Sequence, residues 1–284
     1  MISRVVRDRF DSIHAALSTY LLAESQRIAR FLDRRITLLM GIWFALAALA
    51  GCFKILHLIA IAPKAVTLAS AVALIIPYAL IALAPAAGYA LVVRCFATGT
   101  IAAQPRLRLA NVGSWRSVSP GEARQHQNFG MSGLLVSLVA GLLLNMVMRL
   151  GEYVLAMPAI PRAAPQWALA IFDAMTFDLI YLSFLYSVCI AMALRAAPLF
   201  PRMLAYTWLC DIIMQVAIAR YTIGAGGLPG EVAAPLQFFL DANIKKVLIS
   251  VVLWLPYLLV SNRVNVTFRQ RVRCGAVLRS RFSH

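Results

Sequence analysis

The chain has 284 residues, 62% of them hydrophobic and 13% charged, with a mean hydropathy of +0.79. Water-soluble domains are about half apolar and about a quarter charged, so a single solvated globule is excluded. A net charge of +16 raises nucleic acid as a partner, and the placement of that charge, taken up below, argues against it.

Residues 1–35 have no apolar core after the early arginines and do not read as a signal peptide. Val6, Phe10, Ile13, Leu17, Leu21, Ile28 and Phe31 recur at helical spacings, with Arg7, Asp8, Asp11, Arg27 and Arg30 on other faces. The pattern predicts a basic amphipathic helix that lies on the membrane or against a partner helix.

A helix needs about 20 apolar residues to cross a hydrocarbon layer of ~30 Å. Six spans are predicted, over 36–60, 67–93, 131–149, 167–194, 203–222 and 246–262. Lys54 and His57 fall near the far end of the first, where a lysine can snorkel to water. Pro77 and Pro85 in the second predict a kink or break, tolerable only where neighbours satisfy the freed carbonyls. Residues 94–130 form a polar loop in which Ser119-Pro120-Gly121-Glu122 reads as a capping box with proline at the first helical position. Small residues four apart, Gly41 with Ala45 and Ser137 with Gly141, would allow close helix packing. Residues 263–284 read as a basic tail. No repeat at a fixed period is visible. The fold class is all-α: a polytopic membrane helix bundle, six-spanning, with an N-terminal amphipathic helix.

Twenty of the 27 lysines and arginines fall on the side of the two termini, in 1–35, 94–130, 195–202 and 263–284. The other seven are Lys54, Lys64, Arg149, Arg162, Arg220, Lys245 and Lys246. By the positive-inside rule both termini face the cytoplasm. The basic charge is then explained by topology and by anionic lipid, at ~1 kcal/mol per surface-near residue, and nucleic acid is not expected as a partner. Trp254 and Tyr257 sit near the inner interface, and Arg263, Arg269, Arg271 and Arg273 are expected to spread over anionic headgroups. Asn265-Val266-Thr267 is a glycosylation sequon on the wrong side of the membrane to be used. Cys52, Cys95, Cys189, Cys210 and Cys274, and His14, His57, His126 and His284, show no metal or disulfide spacing. No metal or other cofactor is expected.

Trp254-Leu255-Pro256-Tyr257, followed by Ser261, Arg263-Val264 and Thr267-Phe268, resembles the closing signature of an uncharacterised bacterial inner-membrane family, domain of unknown function 2569. Gly133-Leu134-Leu135 and Leu199-Phe200-Pro201 are similar to other parts of it, so the resemblance covers roughly 130–275 as a four-span unit. Leu258 replaces the usual phenylalanine, and Asn262 and Asn265 stand where lysines are common. The first two spans and the arm lie outside it. The resemblance implies topology and no chemistry.

Ionisable groups inside spans cost about 2.5–3.5 kcal/mol each at the centre and are default functional candidates. Asp211, nine residues past Arg202, lies ~13–14 Å deep, close to the midplane. Thr207, Asp211, Gln215 and Thr222 fall on one helical stripe. Asp173, Thr176, Ser183 and Ser187 form another, with Asp178 directed away from it. Asp173, Asp178, Arg149, Glu152, Arg220, Lys245 and Lys246 map to the outer helix ends, as a rim of ion pairs such as Asp178 with Lys246 or Arg220, or as a vestibule feeding a protonatable Asp211. No nucleophile elbow, phosphate loop or same-face carboxylate pair appears, so an enzyme is not expected. The expectation is a non-catalytic scaffold or accessory subunit of a membrane assembly, with a membrane-protein partner or a second copy of itself. The alternative is a small transporter or channel using Asp211.

Overall fold

A computed structural model of the chain describes residues 19–20, 22–61, 68–96, 104–105, 112–161, 164–224 and 226–274. The first 18 residues of the predicted arm, Leu21, Lys64, Arg162 and the tail beyond Cys274 lie outside the described residues. In chain order come a helix over 22–34 (α1), α2 (Ile36–Ile61), α3 (Leu68–Cys95), strand β1 (Trp115–Ser117) and α4 (Pro120–Gln125). Then follow α5 (Leu134–Ala156), α6 (Gln166–Leu194), α7 (Phe200–Gly224), α8 (Gly230–Val260), α9 (Asn262–Arg269) and strand β2 (Arg271–Arg273). The protein is an all-α helix bundle in which six helices, α2, α3 and α5 to α8, are long and apolar enough to cross a membrane.

Helix α6 is the centre: 72% of its apolar window is buried, against 17% for α8. It packs on α3, α5 and α7, while α2 lies on α3 and α8 on α7. The close approach of α3 to α6 depends on Gly88, where a Cβ would collide with the Ser187 Oγ and stand 2.6 Å from the Phe184 carbonyl oxygen. Gly51 does the same for α2, with a Cβ position 2.8 Å from Tyr78 Cβ. The working small-residue pairs are therefore Ala47 with Gly51 and Ala84 with Gly88, all buried. Gly41 and Gly141 have open space beside them, a correction to the pairs expected from sequence; spacing alone does not say which face of a helix meets another.

Helix α3 runs unbroken through Pro77 and Pro85. A proline at position 85 removes the hydrogen bond to the carbonyl four residues back, and the Trp43 Nε1 of α2 donates to that Ile81 oxygen at 3.1 Å. Helix α5 continues to Ala156 and α8 starts at Gly230, so two spans are longer than expected. Arg149 and Lys246, charges that read as helix ends in the sequence, lie inside their helices. Helix α8 likewise runs on through Pro235 and Pro256, each of which removes the hydrogen bond to the carbonyl four residues back.

One end of the bundle is closed by α4, α9 and the strands. Ser119 caps α4 as expected, accepting from the Glu122 N–H while the Glu122 carboxylate accepts from the Ser119 N–H. Strands β1 and β2, too short to show an alternating pattern in sequence, pair antiparallel with Trp115 opposite Arg273. The chain after the last span therefore folds back on the bundle through Cys274, with Val264, Val266 and Phe268 buried and the Phe268 ring 4.8 Å from that of Phe200. In α1, Ala29 and Leu32 face inward and the Ser25 hydroxyl accepts from the Gly133 N–H at 2.7 Å. Ile28 and Phe31 are exposed, the apolar face that an arm resting on lipid or a partner requires.

Candidate functional site: a buried charged network

Three helices meet at Arg149. Its Nη1 donates to Asp178 Oδ2 at 2.9 Å and its Nη2 to Asp211 Oδ1 at 2.5 Å, so one guanidinium of α5 bridges a carboxylate of α6 and one of α7. The planar fork of arginine suits two separately placed carboxylates. Each carboxylate has a second donor: Tyr186 Oη reaches Asp211 Oδ2 at 2.7 Å, and Gln215 Nε2 reaches Asp178 Oδ1 at 3.0 Å. The chain of bonds continues into α8. Asn243 Nδ2 donates to Gln215 Oε1 at 3.3 Å, Lys246 Nζ donates to Asn243 Oδ1 at 3.3 Å, and Lys246 also pairs with Glu152 of α5. Alongside, Tyr153 and Thr176 share a hydrogen bond of 2.7 Å between α5 and α6.

Depth follows from helix rise. Measured from the α9 end, Asp211 lies ~16 Å along α7, Arg149 ~22 Å along α5 and Asp178 ~24 Å along α6. All three fall within a hydrocarbon layer of ~30 Å. Asp211 and Gln215 are wholly buried and Arg149 and Asp178 nearly so. Isolated charges there are costly; paired and fully hydrogen-bonded, they tie the register of α5, α6 and α7 to one arrangement.

Thr207, Asp211, Gln215 and Thr222 are all buried, as their common stripe predicts. Several other expectations need correction. Asp178 points inward, and it pairs with Arg149 rather than with Lys246 or Arg220. Because α6 is surrounded by α3, α5 and α7, two of its faces are interior, and a one-stripe reading misassigns one of them. Asp173 is exposed and lines a shallow hollow between α6 and α7 with Phe177 and Tyr221. Arg220 is exposed and makes no ion pair among the described residues. Lys246 and Glu152, both expected at the rim, pair at the network's edge, where Lys246 is half exposed. Tyr186 and Asn243 are network members that the sequence reading did not single out. Asn243 lies one helical turn from Lys246, a spacing that would have flagged it; Tyr186 carries no such mark.

The basic residues after the last span also differ from expectation. Arg271 is buried, its Nε donating to Asn265 Oδ1 at 2.7 Å and its guanidinium 5.3 Å from the Trp115 ring. Arg269 is half buried, donating to Leu258 O at 2.7 Å and Asn265 Oδ1 at 3.1 Å. These two hold the bundle's end together, whereas Arg263 and Arg273 remain accessible. Asn265, fully buried and donating to Leu259 O and Ser261 O, is closed to glycosylation whatever its side of the membrane.

Between α5 and α8 lies a cavity of about 90 Å³ lined by Asn145, Tyr186, Trp208, Lys246 and Ser250 among others. It reaches the Tyr186 side chain that caps Asp211, but neither Asp211 nor Gln215 lines it. Among the described residues no group of three His, Cys, Asp or Glu side chains could hold a metal ion. Compared with models of known protein families, with curated proteins and with solved structures, the chain matches none.

Proposed function

We propose that this integral membrane protein is a non-catalytic scaffold or accessory subunit of a membrane assembly, sited in a bacterial inner membrane with both termini cytoplasmic. The observation that carries this reading is the closure of the charged network. Arg149, Asp178 and Asp211 satisfy one another, and none of them lines the cavity between α5 and α8 or the hollow between α6 and α7, which is how a register-fixing polar core is built and unlike a site open to a substrate. The exposed apolar face of α1 offers a surface for a membrane partner or a second copy, and the accessible Arg263 and Arg273 suit anionic lipid. The closing motif from Trp254 to Phe268 supports membership of residues 130–275 in the uncharacterised four-span family. Affinity purification in mild detergent with mass spectrometry tests the reading: a stoichiometric membrane partner supports it, and a lone chain that moves a solute in vesicles refutes it.

One observation favours the transport alternative. The small cavity between α5 and α8 approaches Asp211 through Tyr186, a geometry able to pass a proton. In that case Tyr186→Phe stops a measured flux at normal expression.

A further inference from the structure

At the α9 end, a cavity of about 230 Å³ opens between the start of α7 and the end of α8. Three of its lining residues are arginines, Arg202, Arg269 and Arg271, and none of the described ones is a carboxylate. Its other walls are apolar, among them Leu255, Leu258, Leu259 and Pro198. Two of the guanidiniums are fixed in place by the same acceptor, Asn265 Oδ1. The side chain of Arg202 has no hydrogen bond or ion pair to any described residue. Burial, then the neighbouring charges of Arg271 and Arg202, lowers Arg269 to about 10. Arg202 and Arg269 thus face a half-enclosed, apolar-walled space whose described lining holds no carboxylate, and an anion with several acceptor oxygens gains charge-assisted bonds there.

The volume is below the ~300–1,000 Å³ of pockets that engulf a drug-sized ligand, so a headgroup fits and a whole lipid does not. The surface beyond it is apolar. Leu209 continues the face of Arg202 and Ala205 along α7, and Val252 and Leu248 continue that of Leu259 and Leu255 along α8, at spacings of three, four or seven. Leu209, Val252 and Leu248 are 55%, 75% and 47% exposed, a track for an acyl chain leading down from the arginines.

We propose that this cavity binds the phosphodiester headgroup of an anionic glycerophospholipid, with its acyl chains lying along the α7–α8 groove. The proposal rests on the membrane-spanning reading, which cysteine labelling tests separately.

The full chain in non-ionic detergent is titrated with phosphatidylglycerol, phosphatidylcholine and inorganic phosphate by native mass spectrometry. Phosphatidylglycerol is expected to bind at least about tenfold more tightly than phosphatidylcholine, and Arg202→Gln to weaken it about tenfold, the scale of one charge-assisted hydrogen bond. Thermal unfolding of Arg202→Gln without lipid should match the parent, and Arg202→Gln/Arg269→Gln should erase the preference. Arg220→Gln, an exposed arginine outside the cavity, should leave it intact. Equal binding of phosphatidylcholine, an unaltered affinity in Arg202→Gln, or an equal loss in Arg220→Gln overturns the site. Inorganic phosphate binding as tightly as the lipid overturns the lipid assignment in favour of a free anion.

Discussion

Replacing Asp178 and Asp211 by asparagine, singly and together, separates a shared ion pair from two independent ones. Arg149 contacts both carboxylates, at 2.9 and 2.5 Å. Either single variant leaves the guanidinium one anion. The loss is one charge-assisted hydrogen bond, roughly 1.5–3 kcal/mol, offset in part because one of two neighbouring buried anions is removed. The net cost of each should be about 1 kcal/mol. The double variant strands a buried cation, for which about 4–5 kcal/mol is appropriate. The excess over the sum of singles, about 2–3 kcal/mol, is a factor of roughly 30–150 in the folding equilibrium. Unfolding in mixed micelles of rising SDS fraction, followed by tryptophan fluorescence, reads each free energy, and Arg149→Met added to the double variant should recover most of the loss. Additivity within about 0.5 kcal/mol, or no recovery with methionine, refutes the shared-cation account.

Gly88→Ala should destabilise by about 1–3 kcal/mol, the range for overpacking a tight contact, because its Cβ would stand 2.6 Å from the Phe184 carbonyl oxygen; Gly141→Ala, facing open space, is the control in the same assay. A membrane-impermeant maleimide should label Cys95 and Cys274 from one side of the membrane only. Cys52, exposed on α2 and ~24 Å from its start, should react only with a permeant reagent; labelling of Cys95 and Cys274 from opposite sides refutes the topology. The Glu122 carboxylate is held below its ordinary value of 4.5 by the backbone N–H of Ser119 and then by its side chain. A lowered folded value stabilises α4 fully above pH 4.5 and loses that support as pH falls through the folded value. Amide-exchange protection of 121–125 should therefore decline below that pH, and in Glu122→Gln, which cannot titrate, the decline should vanish.

The sequence by itself determined that six apolar helices form, that Ser119 to Glu122 caps a surface helix, and that Asp211 and Gln215 share a buried stripe. Each of these depends on local chemistry: apolar length against bilayer thickness, cap hydrogen bonds, and the helical repeat. Tertiary structure decided everything that requires knowing which faces meet. Asp178 turned inward because α6 is surrounded, and Arg149 and Lys246 became interior because α5 and α8 extend past them. Trp43 satisfies the Ile81 carbonyl, 38 residues later in the chain, which Pro85 leaves without its donor. Arg269 and Arg271, which read as a tail spread over anionic headgroups, are drawn in by Asn265 and Trp115. A charge's cost in an apolar medium is set by its partners, and here those partners come from other helices, whose positions no local pattern encodes.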